Sequence, residues 1–248
     1  MTRIAAVGDI HVGPDSAGQV ARGLAHVNER ADLLLLAGDL TRCGTADEAA
    51  LVAGELAAVT IPVVAVLGNH DFHADQPGAV TEVLSGAGVT VLDGTSTTVE
   101  IGGTVVGVAG AKGFGGGFAG ACATAFGERA MKAFVEETRR EAARLHDALR
   151  GVSRRADRTL ALLHYSPVEE TLRGERLEIY PFLGSHLLAE AIDTAGADLV
   201  VHGHAHHGSE RGVTPGGIRV RNVAQPVIGH AYRVFDLRDP AAEDRSVA

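Results

Sequence analysis

Leu67-Gly68-Asn69-His70-Asp71 closes an apolar run, residues 63–67, that predicts a fully buried β-strand. The Gly-Asn-His-Asp portion is poor strand material, and it carries side chains that bind metals or transfer protons. Four other apolar runs lead into Asp, His or Asn in the same way, at residues 5–11, 33–39, 160–164 and 199–204. Five strand ends that converge on one point predict one functional site, around which the rest of the chain is organised.

The composition indicates an ordinary globular protein. The 248 residues are 46% hydrophobic and 21% charged, which excludes a disordered chain and permits a substantial core. The formal net charge of -9 argues against nonspecific binding of a polyanion such as nucleic acid. No apolar run approaches the roughly 18 residues of a membrane span, and no signal-peptide pattern is present. We therefore expect a cytoplasmic protein with two free cysteines, one domain over residues 1–238 and a flexible tail at 239–248.

The order of predicted elements indicates an α/β fold with two sheets. Strands ending near residues 8, 37 and 67 alternate with helices at 16–30 and 45–58, which predicts parallel strands with right-handed crossovers. Alternating segments around Gly102-Gly103 predict a hairpin, and hence a second, partly antiparallel sheet. Further helices are expected at 78–85, 128–150 and 185–194, and the glycine-rich residues 110–118 are expected to form a loop.

Side chains with nitrogen or oxygen donor atoms lie at the five strand ends and predict a metal site. The strand ends alone give seven candidate ligands: Asp9, His11, Asp39, Asn69, His164, His202 and His204. Seven exceed one tetrahedral site but suffice for two ions if a carboxylate bridges them. Two ions about 3.5–4 Å apart stabilise the attacking and leaving oxygens of a phosphoryl transfer and activate a hydroxide near neutral pH. His70 is not needed as a ligand, so we expect it to be the general acid.

Taken together, Asp9-x-His11, Gly38-Asp39, Gly68-Asn69-His70-Asp71, His164 and the final histidine block resemble the motifs of the calcineurin-like metallophosphoesterases. The resemblance covers nearly the whole chain and implies a four-layer α/β/β/α sandwich of two facing mixed sheets. It also places the last block at Gly203-His204-Ala205-His206, which replaces His202 by His206. The implied ligands of metal one are Asp9, His11, Asp39 and His206. Those of metal two are Asp39, Asn69, His164 and His204.

Several residues near the predicted ligands are candidates for further roles. Asp71 is expected either to orient a neighbouring histidine in catalysis or to cap the next turn, and the sequence does not choose between these roles. Asn69, His73, Lys112 and Arg173 are candidate substrate contacts. The competing interpretation for Lys112 is a flexible connector, and for Arg173 a structural loop.

The sequence thus predicts a phosphoesterase with two divalent metal ions, manganese being favoured over iron, zinc or magnesium. It would hydrolyse small phosphodiesters or phosphomonoesters by attack of a metal-bound hydroxide. The resemblance extends to class III cyclic-nucleotide phosphodiesterases, but the same motifs serve other activities. One alternative is a nuclease acting on DNA or RNA, which the net charge disfavours. Another is a non-catalytic binding or scaffold protein, which would be expected to have lost a ligand or the acid. No membrane partner is expected.

Overall fold

Two β-sheets face each other in the computed structural model, which describes residues 2–237. The predicted tail at 239–248 lies outside the described residues. The strands are β1 (Arg3–Val7), β2 (Leu33–Ala37), β3 (Val63–Val66), β4 (Val89–Val91), β5 (Thr95–Ile101), β6 (Thr104–Ala111), β7 (Gly117–Phe118), β8 (Ala121–Cys122), β9 (Arg158–Leu163), β10 (Leu199–His202), β11 (Arg211–Val213), β12 (Arg219–Asn222) and β13 (Arg233–Asp236).

Both large sheets are mixed. The first has the order β13-β1-β2-β3-β4, and only its edge strand β13 runs antiparallel to its neighbour. The second has the order β11-β12-β10-β9-β6-β5, with parallel pairing in the centre and antiparallel strands at both edges. The central strands of each sheet are therefore parallel, so their carboxyl ends meet at one edge.

Eight helices are described, most of them packed on the outer face of one of the two large sheets. They are α1 (Gln19–Gly23), α2 (Val27–Arg30), α3 (Ala46–Leu56), α4 (Pro77–Gly86), α5 (Arg129–Ser153), α6 (Tyr180–Leu183), α7 (His186–Ala195) and α8 (Gln225–Ile228). Short 3₁₀ turns lie at His70–Phe72, Glu170–Leu172 and Leu177–Ile179. Among residues 2–237, no helix has both the length and the apolar character that a membrane span needs. Cys43 and Cys122 are free thiols.

Successive side chains of each strand point to opposite faces of its sheet, and the core is therefore divided into three apolar layers. In β1, Ile4 and Ala6 join a buried cluster between the two sheets, whereas Ala5 and Val7 join a cluster with α1 to α4. A third cluster packs α5 and α7 against the outer face of the second sheet. This arrangement confirms the predicted α/β/β/α sandwich of two facing mixed sheets.

Three local expectations differ from the structure. The predicted helix at 16–30 is two short helices, and Gly23, a weak helix former, ends the first one where it packs closely against Ala231. Helix α5 continues through Gly151 to Ser153, because Val152 is buried in the third cluster and packing outweighs the glycine. The glycine-rich segment is partly a strand: β6 extends to Ala111, and Gly117–Phe118 pairs with Ala121–Cys122.

Candidate metal centre

The predicted ligands lie at the carboxyl ends of five neighbouring central strands. Asp9 follows β1, Asp39 follows β2, Asn69 follows β3, and His164 follows β9. The last block, from His202 to His206, follows β10. Each side chain thus leaves the sheet where the strand stops, and the facing of the two sheets brings the five loops together.

Four of these residues form a first donor group. Ligand atoms of Asp9, His11, Asp39 and His206 all lie within 4.8 Å of one another. The Nε2 atom of His206 is 2.9 Å from Oδ1 of Asp9, and Nε2 of His11 is 3.7 Å from Oδ2 of Asp39. This is the set of residues that the sequence predicts for metal one.

A second donor group shares Asp39 with the first. Ligand atoms of Asp39, His164 and His204 lie within 4.8 Å of one another. Oδ1 of Asp39 is 3.3 Å from Nε2 of His164, and the amide oxygen of Asn69 is 2.9 Å from the same nitrogen. Asp39 is almost completely buried and belongs to both groups, as a bridging ligand would.

The protonation of the histidines fits a pair of cations. The Nδ1 atom of His164 donates to the carbonyl of Ala37 at 2.9 Å, and burial lowers the pKa of this histidine well below its ordinary value. The neutral ring therefore has a lone pair on Nε2, which faces the Asp39 oxygen. Two atoms that both carry lone pairs repel one another at 3.3 Å unless a cation lies between them.

The same holds for two further histidines. Burial lowers the pKa of His204 to about 3, and its Nε2 atom donates to the carbonyl of Phe182 at 3.2 Å, so the lone pair lies on Nδ1. Burial also lowers the pKa of His11 to about 4. Its Nε2 atom is buried and has no hydrogen-bond partner among residues 2–237, a cost that a bound cation would remove. The donor set therefore fits divalent metal ions that accept imidazole and carboxylate ligands.

Two other groups hold a proton more tightly than usual. Burial raises the pKa of Asp9 to about 6, although its carboxylate accepts hydrogen bonds from His206 and from the backbone N–H of His204. The hydrogen bond to Asp9 raises the pKa of His206. Metal binding would displace this shared proton, since metal ligands must be deprotonated.

The backbone at the candidate ligands is strained. Asp9, His11, Asp39 and His204 have φ angles of 60°, 42°, 50° and 70°, in the left-handed region that non-glycine residues rarely occupy. Such conformations cost of order 1–3 kcal/mol each and tend to cluster at functional sites. They turn the chain sharply after each strand and direct the ligands to one point.

Two glycines make room for the carboxylates. A Cβ atom on Gly68 would overlap the carboxylate and backbone nitrogen of Asp39, and one on Gly203 would overlap the carboxylate of Asp9. The glycine in each motif is therefore required by the close approach of another strand's acidic residue.

His70 lies beside the first donor group without belonging to it. Its backbone N–H donates to Oδ1 of Asp39 at 2.8 Å, and its ring centre is 4.5 Å from that of His11. The Nδ1 atom is 2.8 Å from the carbonyl of Arg42, which fixes the ring and makes Nδ1 a donor. Nε2 is thereby the nitrogen available to a substrate.

Asp71 is buried and holds the loops together. Its carboxylate accepts hydrogen bonds from the backbone N–H groups of Leu40, Thr41 and Gly68, at 3.2, 2.8 and 2.8 Å, and from the Thr41 hydroxyl at 2.6 Å. Burial raises its pKa to about 6. These bonds link the loop after β2 to the loop after β3, and none of them comes from a histidine. The contacts therefore support a structural role that links two loops, and neither predicted role, orienting a histidine or capping the next turn, is found among them.

His202 and the candidate substrate contacts occupy different surroundings. His202 is buried, with Nδ1 bonded to the carbonyl of Gly203 and Nε2 to the Thr171 hydroxyl, so both ring nitrogens are used. His73 is exposed just after the His70–Phe72 turn, and Arg173 is exposed after the Glu170–Leu172 turn. Lys112 is half-buried next to β9.

Several contacts at the centre have no signal in the sequence. The carbonyls of Ala37, Arg42 and Phe182 orient His164, His70 and His204, and any residue type supplies a carbonyl. Tyr165 stacks on His204 with ring centres 4.3 Å apart, and its position directly after His164 is the one signal that could have found it.

Comparison with known proteins agrees with this geometry. The sequence profile described as calcineurin-like phosphoesterase matches residues 2–208, and the chain therefore belongs to that family. No curated protein sequence matches the chain.

Solved structures share the fold at low sequence identity. The phosphopantetheinyl hydrolase of Mycobacterium tuberculosis is 16% identical with a TM-score of 0.64, over 96% of this chain and 97% of that one. The protein TT1561 of Thermus thermophilus is 19% identical with a TM-score of 0.58, over 96% of this chain and 95% of that one. A putative 5'-nucleotidase from Staphylococcus aureus is 16% identical with a TM-score of 0.56, over 89% of this chain and 48% of that one. These similarities concern the fold alone.

Proposed function

We propose that this protein is a phosphoesterase with two divalent metal ions that hydrolyses small phosphodiesters or phosphomonoesters. The observation that carries the proposal is the sharing of buried Asp39 between two donor groups. Metal one would be held by Asp9, His11, Asp39 and His206. Metal two would be held by Asp39, Asn69, His164 and His204.

The ions, when bound, would supply Lewis-acid stabilisation of the phosphoryl group and activation of the attacking water. The chain itself holds the ligands in place through Ala37, Phe182 and Asp71. It also brings neutral imidazoles, the form that binds metal, because burial lowers the pKa of His11, His164 and His204.

His70 is the proposed general acid. Hydrolysis forms a bond between a water oxygen and phosphorus and breaks the ester P–O bond, so the departing oxygen needs a proton. With Nδ1 donating to the Arg42 carbonyl, a protonated His70 has its second proton on Nε2. That proton passes to the leaving oxygen.

The charge of the chain supports a small substrate. A net charge of -9 disfavours the tracking of a polyanionic nucleic acid, whose binding depends on clustered lysine and arginine. Nitrogen and carboxylate donors suit manganese, iron and zinc, and manganese is our first choice. Monoester and diester substrates are separated by the experiment below.

Hydrolysis by metal-stripped protein with manganese, magnesium, iron or zinc added back tests the proposal. The substrates are bis-p-nitrophenyl phosphate and p-nitrophenyl phosphate, and the ratio of the two rates assigns diesterase or monoesterase activity. Asp39→Asn should abolish the metal-restored turnover. Asp75→Asn is the matched control, because Asp75 is exposed and also has a positive φ angle, of 55°. Equal turnover in Asp39→Asn and Asp75→Asn would contradict the proposal.

A further inference from the structure

The Lys112 ammonium is surrounded by aromatic rings instead of carboxylates. Its Nζ atom lies 5.4, 4.9 and 5.2 Å from the ring centres of Phe72, Phe114 and Tyr165. It donates one hydrogen bond, to the Gly113 carbonyl at 3.0 Å. Within the described part of the chain it forms no ion pair. An ammonium has three N–H donors, so this half-buried cation has unused donors, and the carboxylates that act on it, Glu141, Glu137 and Asp93, lie beyond ion-pair distance.

This cation lies next to the metal centre. The Lys112 carbonyl accepts hydrogen bonds from the backbone N–H groups of His164 and Tyr165 at 3.1 and 3.0 Å. The Tyr165 ring that faces the ammonium also stacks on candidate ligand His204. Phe72, on another side, belongs to the same 3₁₀ turn as His70. The Tyr165 ring therefore contacts both the ammonium and one of the proposed ligands.

Lys112 also lines a cavity beside the centre. The cavity has a volume of about 430 Å³, and Leu67, Phe72, Val91 and Leu92 give it an apolar wall. Phe72 is 37% exposed, so part of its side chain is accessible to a ligand. Leu67 directly precedes the Gly68-Asn69 motif, so the cavity adjoins the loop that carries candidate ligand Asn69.

Within residues 2–237, the acidic residues near Lys112 form no ion pair with it, and Glu137 is paired with Arg140. Asp93 is paired with Arg144, at 2.9 Å, and Glu82 is exposed on α4. Buried Glu141 accepts from the backbone N–H of Gly113 and is paired with Arg144 at 3.0 Å. Lys112 is the cationic residue of the cavity wall, and the nearby carboxylates are engaged elsewhere or point to solvent.

We propose that this cavity is a subsite for the organic part of the phosphoester substrate. It takes an apolar or aromatic group against Phe72, Val91 and Leu92, and the Lys112 ammonium binds a second anionic group on it. That group is a carboxylate or a second phosphate. The inference rests on the proposed function, because it assumes that the phosphoester bond to be cleaved lies at the metal centre. An anion on Nζ would form the direct ion pair that Lys112 lacks within residues 2–237 and would fill its unused donors.

Matched aryl phosphates test this subsite with the manganese-loaded protein. Para-carboxyphenyl phosphate carries the second anion, para-carbamoylphenyl phosphate is its neutral counterpart of the same shape, and para-phenylene bisphosphate carries a second phosphate. If only diesters are turned over, the methyl esters of the same phosphates replace them. We expect kcat/KM to favour an anionic substrate over the neutral one by about 10-fold or more, as a charge-assisted hydrogen bond provides. Whichever of the two anionic substrates has the higher kcat/KM shows whether the second anionic group is a carboxylate or a phosphate.

Variants of the chain's two lysines assign the discrimination to one residue. Lys112→Met should reduce the ratio of kcat/KM for the anionic substrate to kcat/KM for the neutral substrate to near unity. Lys132→Met, a substitution at an exposed position of α5, should retain the wild-type ratio. A purely structural role for Lys112 would lower both rates and leave the ratio unchanged. The wild-type ratio is itself a test that does not depend on the folding of the variant. A wild-type protein without discrimination would overturn the proposal.

Binding of non-hydrolysable analogues separates failure of the subsite from failure of the function. In calorimetry, manganese-loaded protein should bind para-carboxybenzylphosphonate about 10-fold more tightly than para-carbamoylbenzylphosphonate. This preference without any turnover would support the subsite and contradict the proposed hydrolysis. Turnover of p-nitrophenyl esters with equal phosphonate affinities would support the hydrolysis and overturn the subsite.

Discussion

His70 and Asp71 are neighbours in the sequence, yet the structure gives them different tasks. His70 is fixed through Nδ1 and has Nε2 available, whereas the hydrogen bonds that the Asp71 carboxylate accepts within residues 2–237 come from Leu40, Thr41 and Gly68. Substitutions at the two positions should therefore affect different properties of the protein.

His70→Asn should lower kcat in proportion to the need of the leaving group for a proton. We expect a loss of about 10²–10⁴-fold for alkyl phosphoesters and a much smaller loss for p-nitrophenyl esters, whose leaving group departs without protonation. The measurement is kcat for a series of leaving groups of increasing pKa. An equal loss across the series would show that His70 is not the acid.

Asp71→Asn should destabilise the protein. The amide of asparagine would place an N–H₂ group against backbone donors, so about 1–3 kcal/mol of unfolding free energy should be lost. Urea unfolding of Asp71→Asn and of Asp75→Asn at an exposed site gives the comparison. An unchanged unfolding midpoint in Asp71→Asn would contradict the structural role.

At the level of single residues, the sequence predicts which side chains come together at the centre far better than it predicts the backbone groups that orient them. The residues of both donor groups, including His206, are brought together where the resemblance implies, although their role as ligands stays a prediction. Strand ends alone pointed to His202, which is instead bonded to Gly203 and Thr171. The carbonyls that orient the histidines could not be predicted, because they depend on backbone geometry.

At the scale of elements, the loops after the strands are built around close contacts. Gly203 lies against the Asp9 carboxylate. Because glycine has no side chain, the loop after β10 can pack directly on the loop after β1. Strand positions were predictable because short apolar runs mark them. The division of the 16–30 helix and the continuation of α5 past Gly151 depend on Ala231 and on the third core cluster, which are distant in sequence.

Gly203→Ala should reduce metal affinity by displacing Asp9. The matched control is Gly151→Ala, because a Cβ atom there meets nothing within 4 Å and alanine favours the helix by about 0.5–1 kcal/mol. Manganese titration should show weaker binding in Gly203→Ala and unchanged binding in Gly151→Ala. Wild-type affinity in Gly203→Ala would contradict the close packing of the two loops.

At the scale of the whole molecule, the metal centre costs stability when no metal is bound. The folded-state pKa of Asp9 is about 6, above the ordinary 3.8, because the carboxyl is buried. Stability contributed by the protonated form is fully present below about pH 3.8 and is lost as the pH rises through about 6. At neutral pH the metal-free fold therefore carries an unfavourable buried carboxylate.

Asp9→Asn should accordingly stabilise the metal-free protein while abolishing binding at metal one. Asparagine tolerates the positive φ angle of this position, and we expect a gain of about 1–3 kcal/mol near neutral pH that shrinks towards about pH 4. Urea unfolding of the metal-stripped proteins at both pH values measures it. A loss of stability near neutral pH would contradict this account of Asp9.

Metal stoichiometry is the direct test of whether two metal ions share Asp39. Elemental analysis and manganese titration of purified wild-type protein, Asp39→Asn and Asp75→Asn provide the measurement. We expect two ions per chain in the wild type and in Asp75→Asn, and loss of both tight sites in Asp39→Asn. A wild-type chain that binds one ion or none, or an Asp39→Asn variant that retains both, would contradict this expectation.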